Sequence, residues 1–180
     1  LPHAKFDMVN CNYSIESPHL APFIDTYTIK EVKHIRVGIT GVGIDFVDLV
    51  AAKNHQGVSY HSPFDKLQAV VTQLREKEGC QLVVVLSHLG YRYRDDRPSD
   101  IQLAERVNGV DWIVGGHTHS FMDEPLLIMS EGGHPTRILQ VGWAGILLGK
   151  TDFYFRKEQL VSIDSQTIPV DFRAQSGNRT

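Results

Sequence analysis

Three histidines stand where apolar runs end. His88 closes the run in "VVVLSHLG" (83–90), and His117 and His119 close "DWIVGGHTH" (111–119). A neutral imidazole is a good ligand for zinc, iron, nickel and manganese in mixed nitrogen and oxygen shells. Ser87-His88 alone reads first as a hydrogen-bonded structural histidine. "GGHTH" is more specific. Its two glycines let the backbone turn sharply and clear side chains from the space beside it. Histidines at i and i+2 then point into one pocket, toward one ion or two. The chemistry implied is metal binding through His88, His117 and His119.

The remaining histidines, at 3, 19, 34, 55, 61 and 134, lie in polar loops or turns without ligand spacing and read as surface residues. "RYRDDR" (92–97) has arginines able to pair with phosphate, but it reads first as a solvated loop of alternating charge. Neither a P-loop, nor GxSxG, nor GxGxxG is found, and "GITGVG" lacks the lysine and spacing of a nucleotide loop.

The elements that must position these histidines follow from periodicity. "KFDMVNCNY" (5–13) reads as a short strand. Residues 25–43 read as two β-rich runs joined by a polar turn near Lys33-His34, the second stopping at glycines. Residues 44–62 read as an irregular polar connection. A helix is expected over 62–79: Ser62 is placed to cap it, Pro63 takes its first turn and Gly79 ends it. Leu67, Val70, Val71 and Leu74 form its apolar stripe. A strand at 81–87, a helix near 99–108 with Ile101, Leu103, Ala104 and Val107 inward, and a strand at 111–115 follow. After Pro125 the texture is that of antiparallel hairpins, with a loose tail.

The middle of the chain is thus β-α-β-α-β. Strands joined by helices run parallel with right-handed crossovers, so their carboxyl ends share the edge where open α/β sheets place ligands. Gly41, His88 and His117 all fall there.

Totals narrow the class. The chain has 180 residues, 42% hydrophobic and 22% charged, with a net charge of −3. One domain fits, and nothing suggests a nucleic-acid partner or a basic membrane face. No apolar run approaches the roughly 20 residues that span a bilayer. Two cysteines, Cys11 and Cys80, are too few for a disulfide scaffold and read as small buried hydrophobes. Any metal site must therefore use histidine and oxygen ligands. The start at Leu1-Pro2-His3, without an initiator methionine or a signal-like n-region, reads as an internal fragment or a processed form.

Together, "AKFDMVNCNY" (4–13), "IRVGITGVG" (35–43), "VVVLSHLG", "SDIQLAERVNGVDWIVGGHTHSFMDEP" (99–125) and "QVGWAGILLGKTDFYF" (140–155) resemble the calcineurin-like metallophosphoesterases, in the branch of the 5′-nucleotidases. The likeness covers nearly the whole chain, and SHLG with a D-x-x-LA helix and GGHTH is a specific combination. It implies an α/β/β/α sandwich, here its second half: parallel β-α-β-α-β followed by antiparallel hairpins. Residues 1–172 would be the carboxyl-terminal part of the metallophosphoesterase domain and 173–180 a tail.

The resemblance further implies hydrolysis of nucleotide or other phosphate esters by a water that two divalent ions activate, the ions being zinc, manganese or iron. His88 and His117 would bind one ion and His119 the other. The family's three amino-terminal motifs, Asp-x-His, Gly-Asp and Asn-His, are not in this sequence; the acidic ligands and the histidine that assists the leaving group are expected upstream of Leu1. The 180 residues alone are then expected to be inactive. A separate nucleotide-binding domain with its aromatic base clamp is likewise missing. A periplasmic or extracellular setting is implied. Two other classes stay open: a non-catalytic metal-binding module, and a half-site completed by another polypeptide.

Overall fold

The run Leu82-Val83-Val84-Val85-Leu86 is apolar on both faces, with three β-branched valines at its centre, as suits a strand in the interior of a sheet. In the computed structural model, which describes residues 3–47 and 49–170, it forms β7 (Leu82–His88) near the middle of a six-stranded sheet. On one side β7 pairs in parallel with β5 (Ile35–Gly43), whose last residue, Gly43, lies opposite His88. On the other side it pairs in parallel with β8 (Trp112–Val114). The expected parallel order is therefore present, and its carboxyl ends share one edge.

Flanking strands complete the sheet. β4 (Tyr27–Val32) pairs antiparallel with β5 across the Lys33-His34 turn, where Lys33 has a φ of 59°. β10 (Pro135–Leu139) adds in parallel beyond β8, and β9 (Leu126–Met129) closes that edge as the antiparallel partner of β10.

Alternation along β7 decides the layers. Val83 and Val85 face helices α1 (Pro63–Thr72) and α2 (Asp100–Arg106), and these strands and helices bury one core with Leu67, Val71, Leu74, Leu103, Ile113 and Ile138. Leu82, Val84, Leu86 and His88 point to the opposite face. There a hairpin of β11 (Leu147–Arg156) and β12 (Gln159–Pro169) lies against the sheet, with the Phe153 ring edge-on to Trp112 at 5.7 Å. Helices, sheet and a second β layer follow in that order, the mixed α/β architecture the sequence implied. The 173–180 tail lies outside the described residues.

Several local expectations are corrected. The strand expected over 5–13 is two short pieces, β1 (Met8–Val9), parallel to β3 (Ile24–Asp25), and β2 (Tyr13–Ile15). Buried Asn12 separates them because its side chain takes over ladder bonding: it donates to Gly43 O (2.9 Å) and His61 O (3.1 Å) and accepts from Gly43 N (2.8 Å). The connection at 44–62 is not wholly irregular, since β6 (Val58–Tyr60) pairs antiparallel with β2. Ser62 makes no side-chain cap bond. Beyond Thr72 the helix widens into a π turn, Gln73–Lys77, of the kind often found at functional or strained points.

Arg75, on that π turn, reaches Gly109 O and Cys80 O and pairs with Asp111 at 2.5 Å. Asp111 is buried and also accepts the Val83 N–H (2.7 Å). Its second oxygen bonds the His134 ring at 3.0 Å, so His134 is not the plain surface residue its turn suggested. Cys80 is buried, Cys11 is partly buried, and both are free thiols; burial pushes the Cys11 thiol up to about 11.

The Asp111 carboxylate thus ties the start of β8 to the start of β7, to the π turn and to the β9–β10 turn. Replacing it leaves the Arg75 guanidinium without its carboxylate partner and the Val83 N–H without its acceptor. Asp111→Ala is expected to cost about 3 kcal/mol or more in urea unfolding; a loss below about 1 kcal/mol would show that the clamp contributes little.

Candidate metal centre

The two histidine loops are held from below. Along β7, Ser87 points inward and His88 outward. The Ser87 hydroxyl donates to Asp100 at 2.5 Å and accepts the Leu89 N–H at 3.2 Å, fixing the turn just after His88. Asp100 opens α2 behind Ser99, whose hydroxyl caps the helix by accepting from Gln102 N. Ordinarily an acid in a first turn faces solvent and the helix dipole; this one is fully buried.

Gln140, one residue past β10 and also buried, links the two loops. Its Nε2 donates to Asp100 (2.9 Å) and to Gly116 O (2.9 Å), while its Oε1 accepts from Thr118 Oγ1 and Ser120 N (3.2 Å each). Gly115 is required here. A Cβ would stand 2.3 Å from an Asp100 oxygen and 2.6 Å from Gln140 Cγ. Across the gap, Tyr91 N donates to Thr118 Oγ1 at 2.9 Å, so the loop after His88 is bonded to the one carrying His117 and His119.

With the backbone so constrained, His117 and His119 take left-handed conformations, φ 70° and 52°. For residues other than glycine these are uncommon and cost on the order of 1 kcal/mol or more each. The His88 and His117 rings come together edge to face, with centroids 5.2 Å apart. The His119 ring instead stacks on Trp143, 5.9 Å between centroids and 14° between planes. Burial, then the nearby His88, His119 and Arg97, hold the His117 pKa below its usual value. This lowering favours the neutral imidazole, the form that can bind a metal.

The structure thus brings His88 and His117 together and sets His119 beside them against an indole. Among the described residues no group of three or more His, Cys, Asp or Glu side chains is close enough to hold an ion. The donors present are nitrogens without a carboxylate. They suit part of one ion's shell and do not by themselves make a two-ion centre.

Sequence reasoning did not find Asp100, Gln140 or Trp143 as parts of the site. Asp100 follows Ser99 as an ordinary helix-start acid would, and Gln140 ends a strand with no spacing to flag it. Trp143, three residues on, gave no separate signal.

Burial pushes the Asp100 carboxyl up to about 6, against the bonds from Ser87 and Gln140 that pull it down. The folded protein therefore holds this proton more tightly than the unfolded chain, so its stabilising effect is complete below about pH 4 and is lost as pH rises through 6. Asp100→Asn removes that dependence. The difference in unfolding free energy between wild type and variant should move by about 2–3 kcal/mol in the variant's favour from pH 4 to pH 7. A difference that stays constant over this range would mean Asp100 titrates normally.

No family model matches the chain. It is 27% identical over 182 residues to the trifunctional nucleotide phosphoesterase protein YfkN of Bacillus subtilis, an alignment covering 92% of this chain and 12% of that protein. Its fold is similar to the crystal structure of a 5′-nucleotidase precursor from Thermus thermophilus, with a TM-score of 0.81, 26% identity, and coverage of 92% of this chain and 34% of that one. It is also similar in fold to the calcineurin-like phosphoesterase YfkN structure from Bacillus subtilis, with a TM-score of 0.64, 19% identity, and coverage of 92% and 55%. The chain spans 12% to 34% of the length of the first curated relatives it matches. In sequence and in fold alike, the chain is similar to 5′-nucleotidases and calcineurin-like phosphoesterases, matching about a third or less of the length of most of those relatives.

Proposed function

We propose that this chain supplies the later ligand loops of a metal-dependent phosphoric ester hydrolase acting on nucleotides, within a metallophosphoesterase domain to which residues 1–172 belong. The observation that carries the reading is the pairing of the His88 and His117 imidazoles at the carboxyl edge of a parallel sheet. His88 and His117 would hold one divalent ion and His119 would contribute to a second, with zinc, manganese or iron suited to such donors. When bound, a pair of such ions supplies Lewis acidity that acidifies water and neutralises phosphate oxygens.

The chain's own residues set the conditions for this. Gln140 and Asp100 fix the angle at which the imidazoles leave the backbone. Gly115 and Gly116 keep the floor low, and Trp143 limits the directions open to His119. The nucleotide as substrate is supported by relatives named nucleotide phosphoesterase and 5′-nucleotidase. A periplasmic or extracellular setting is part of the same reading, supported by the word precursor in the name of the Thermus protein. Among the described residues no helix is long and apolar enough to cross a membrane.

The carboxylates and the group that assists the leaving alcohol would come from outside these 180 residues. The all-nitrogen donor set also favours a second reading, a metal-binding half-site that another polypeptide completes. Activity from one purified full-length polypeptide separates the two.

His88→Ala and His117→Ala in the full-length protein are each expected to lower the bound metal by the same ion and to cut phosphatase activity by about 100-fold or more, beyond the 10–100-fold usual for outer-shell changes. His34→Ala, in an exposed turn, is the control; His134 is unsuitable because it bonds Asp111. Metal content and activity follow by elemental analysis and phosphate release. Equal losses in all three variants would point to general destabilisation and against the ligand assignment.

A further inference from the structure

Trp143 is 56% exposed, yet its indole is not a loose surface group. It lies nearly flat on the His119 ring, 5.9 Å between centroids and 14° between planes. The backbone brings the two together. Phe121 and Val141 form an antiparallel bridge, Gly142 N donates to Ser120 O at 2.9 Å, and Met122 N donates to Gln140 O at 3.2 Å. Two residues outward from that bridge, His119 and Trp143 stand opposite each other, where cross-strand side chains meet.

The turn around Trp143 is committed to this arrangement. Gly142 has a φ of 74°, and a Cβ there would stand 2.3 Å from the Phe121 ring. Ala144 follows at φ 58°, a left-handed conformation unfavourable for a residue with a side chain. Imidazoles that bind metals are ordinarily oriented through their other ring nitrogen, which donates to a carboxylate, a carbonyl or water. Among the described residues none of the three rings has such a partner. His88 and His117 brace each other edge to face. His119, exposed to solvent, has the indole instead. Stacking confines the plane of a ring and leaves the nitrogens at its rim free.

We infer that Trp143 is the positioning residue for His119. Its indole face does for this imidazole what a hydrogen-bonded partner ordinarily does, holding it apart from the His88–His117 pair as a ligand for the second ion. The inference rests on the phosphohydrolase reading for the presence of that ion; the hold on the ring does not depend on it. An aromatic face is what the role requires, so phenylalanine can replace the indole and alanine cannot. Because Trp143 touches neither His88 nor His117 in a ring pair, its removal bears on one ion and spares the other.

The test uses the full-length protein, stripped of metal, beside Trp143→Ala and Trp143→Phe, with thermal melting to verify folding. In equilibrium dialysis against manganese, Trp143→Ala should bind the second ion about tenfold or more weakly, the loss usual for an orienting partner, and the first ion unchanged. Trp143→Phe should restore most of the second ion's affinity. A second readout needs no metal. In protein carrying carbon-13 histidine, the indole ring current should shift the His119 ring protons upfield, the signals being assigned by their absence in His119→Gln. Trp143→Ala should return them to the position of a free histidine, and Trp143→Phe should keep part of the shift. Ring protons that Trp143→Ala leaves in place would overturn the inference, because something else then holds the ring. So would a second ion bound as tightly by Trp143→Ala as by the unsubstituted protein, or equal weakening of both ions. Equal losses in the alanine and phenylalanine variants would overturn it too, since the turn and not the aromatic face would then matter. If the unsubstituted protein takes up fewer than two ions, the two-ion reading falls, and the ring-proton shift still decides whether Trp143 positions His119.

Discussion

Both histidine loops depend on one buried hydrogen-bond network, Ser87–Asp100–Gln140. Ser87 fixes the residue before His88, and Gln140 fixes Gly116, Thr118 and Ser120 around His117 and His119. Asp100 is the shared acceptor between them. Polar groups in such a position are costly unless bonded, and here both Asp100 oxygens and both ends of the Gln140 amide are engaged. A satisfied network of this kind specifies a single arrangement. Two loops from separate strands are thereby held as one unit, and α2, which carries Asp100, is placed by the same bonds.

The sheet around this network is covered unequally. Val85 and Ile113, facing the helices, are wholly buried, whereas their neighbours Leu86 and Val114, facing the hairpin, keep 45% and 44% exposure. Two helices give one face a continuous core, while a two-stranded hairpin covers the other only in part. His88 lies on the hairpin face and His117 three residues past the end of β8, so the candidate centre sits where cover is thinnest. An edge open to solvent is what a ligand site needs, and the helix-side core supplies the rigidity.

The sequence made the parallel core legible because its signals are local and strong. Leu82–Leu86 cannot pack as an amphipathic helix, the stripe at Leu67, Val70, Val71 and Leu74 cannot be a strand, and topology then places Gly41, His88 and His117 at one edge. What it could not show depended on partners distant in the chain. β6 is three residues long and exists because β2 pairs with it. The π turn is matched by the reach of Arg75 to Gly109 and Asp111, and no periodicity encodes that. His134 looked like a turn residue because its partner, Asp111, lies 23 positions earlier. Asp100 looked like a helix-start acid because burial is a property of the assembled sheet. Within the site, residue types were readable and their mutual support was not.

Strain and charge bear on the same histidines. Left-handed conformations at His117 and His119 are unfavourable taken alone, and they persist because Gln140 and the Gly115–Gly116 approach leave the backbone no alternative. Burial, and then the nearby His88, His119 and Arg97, also lower the His117 pKa. A proton and a metal compete for the same nitrogen, so whatever disfavours the imidazolium removes a competitor of the metal. The conformational cost is thus met during folding, before any ligand arrives. Three imidazoles carry no negative charge, however. The nitrogens are pre-organised within this chain, and among the described residues no carboxylate joins them in a group of three or more possible ligands.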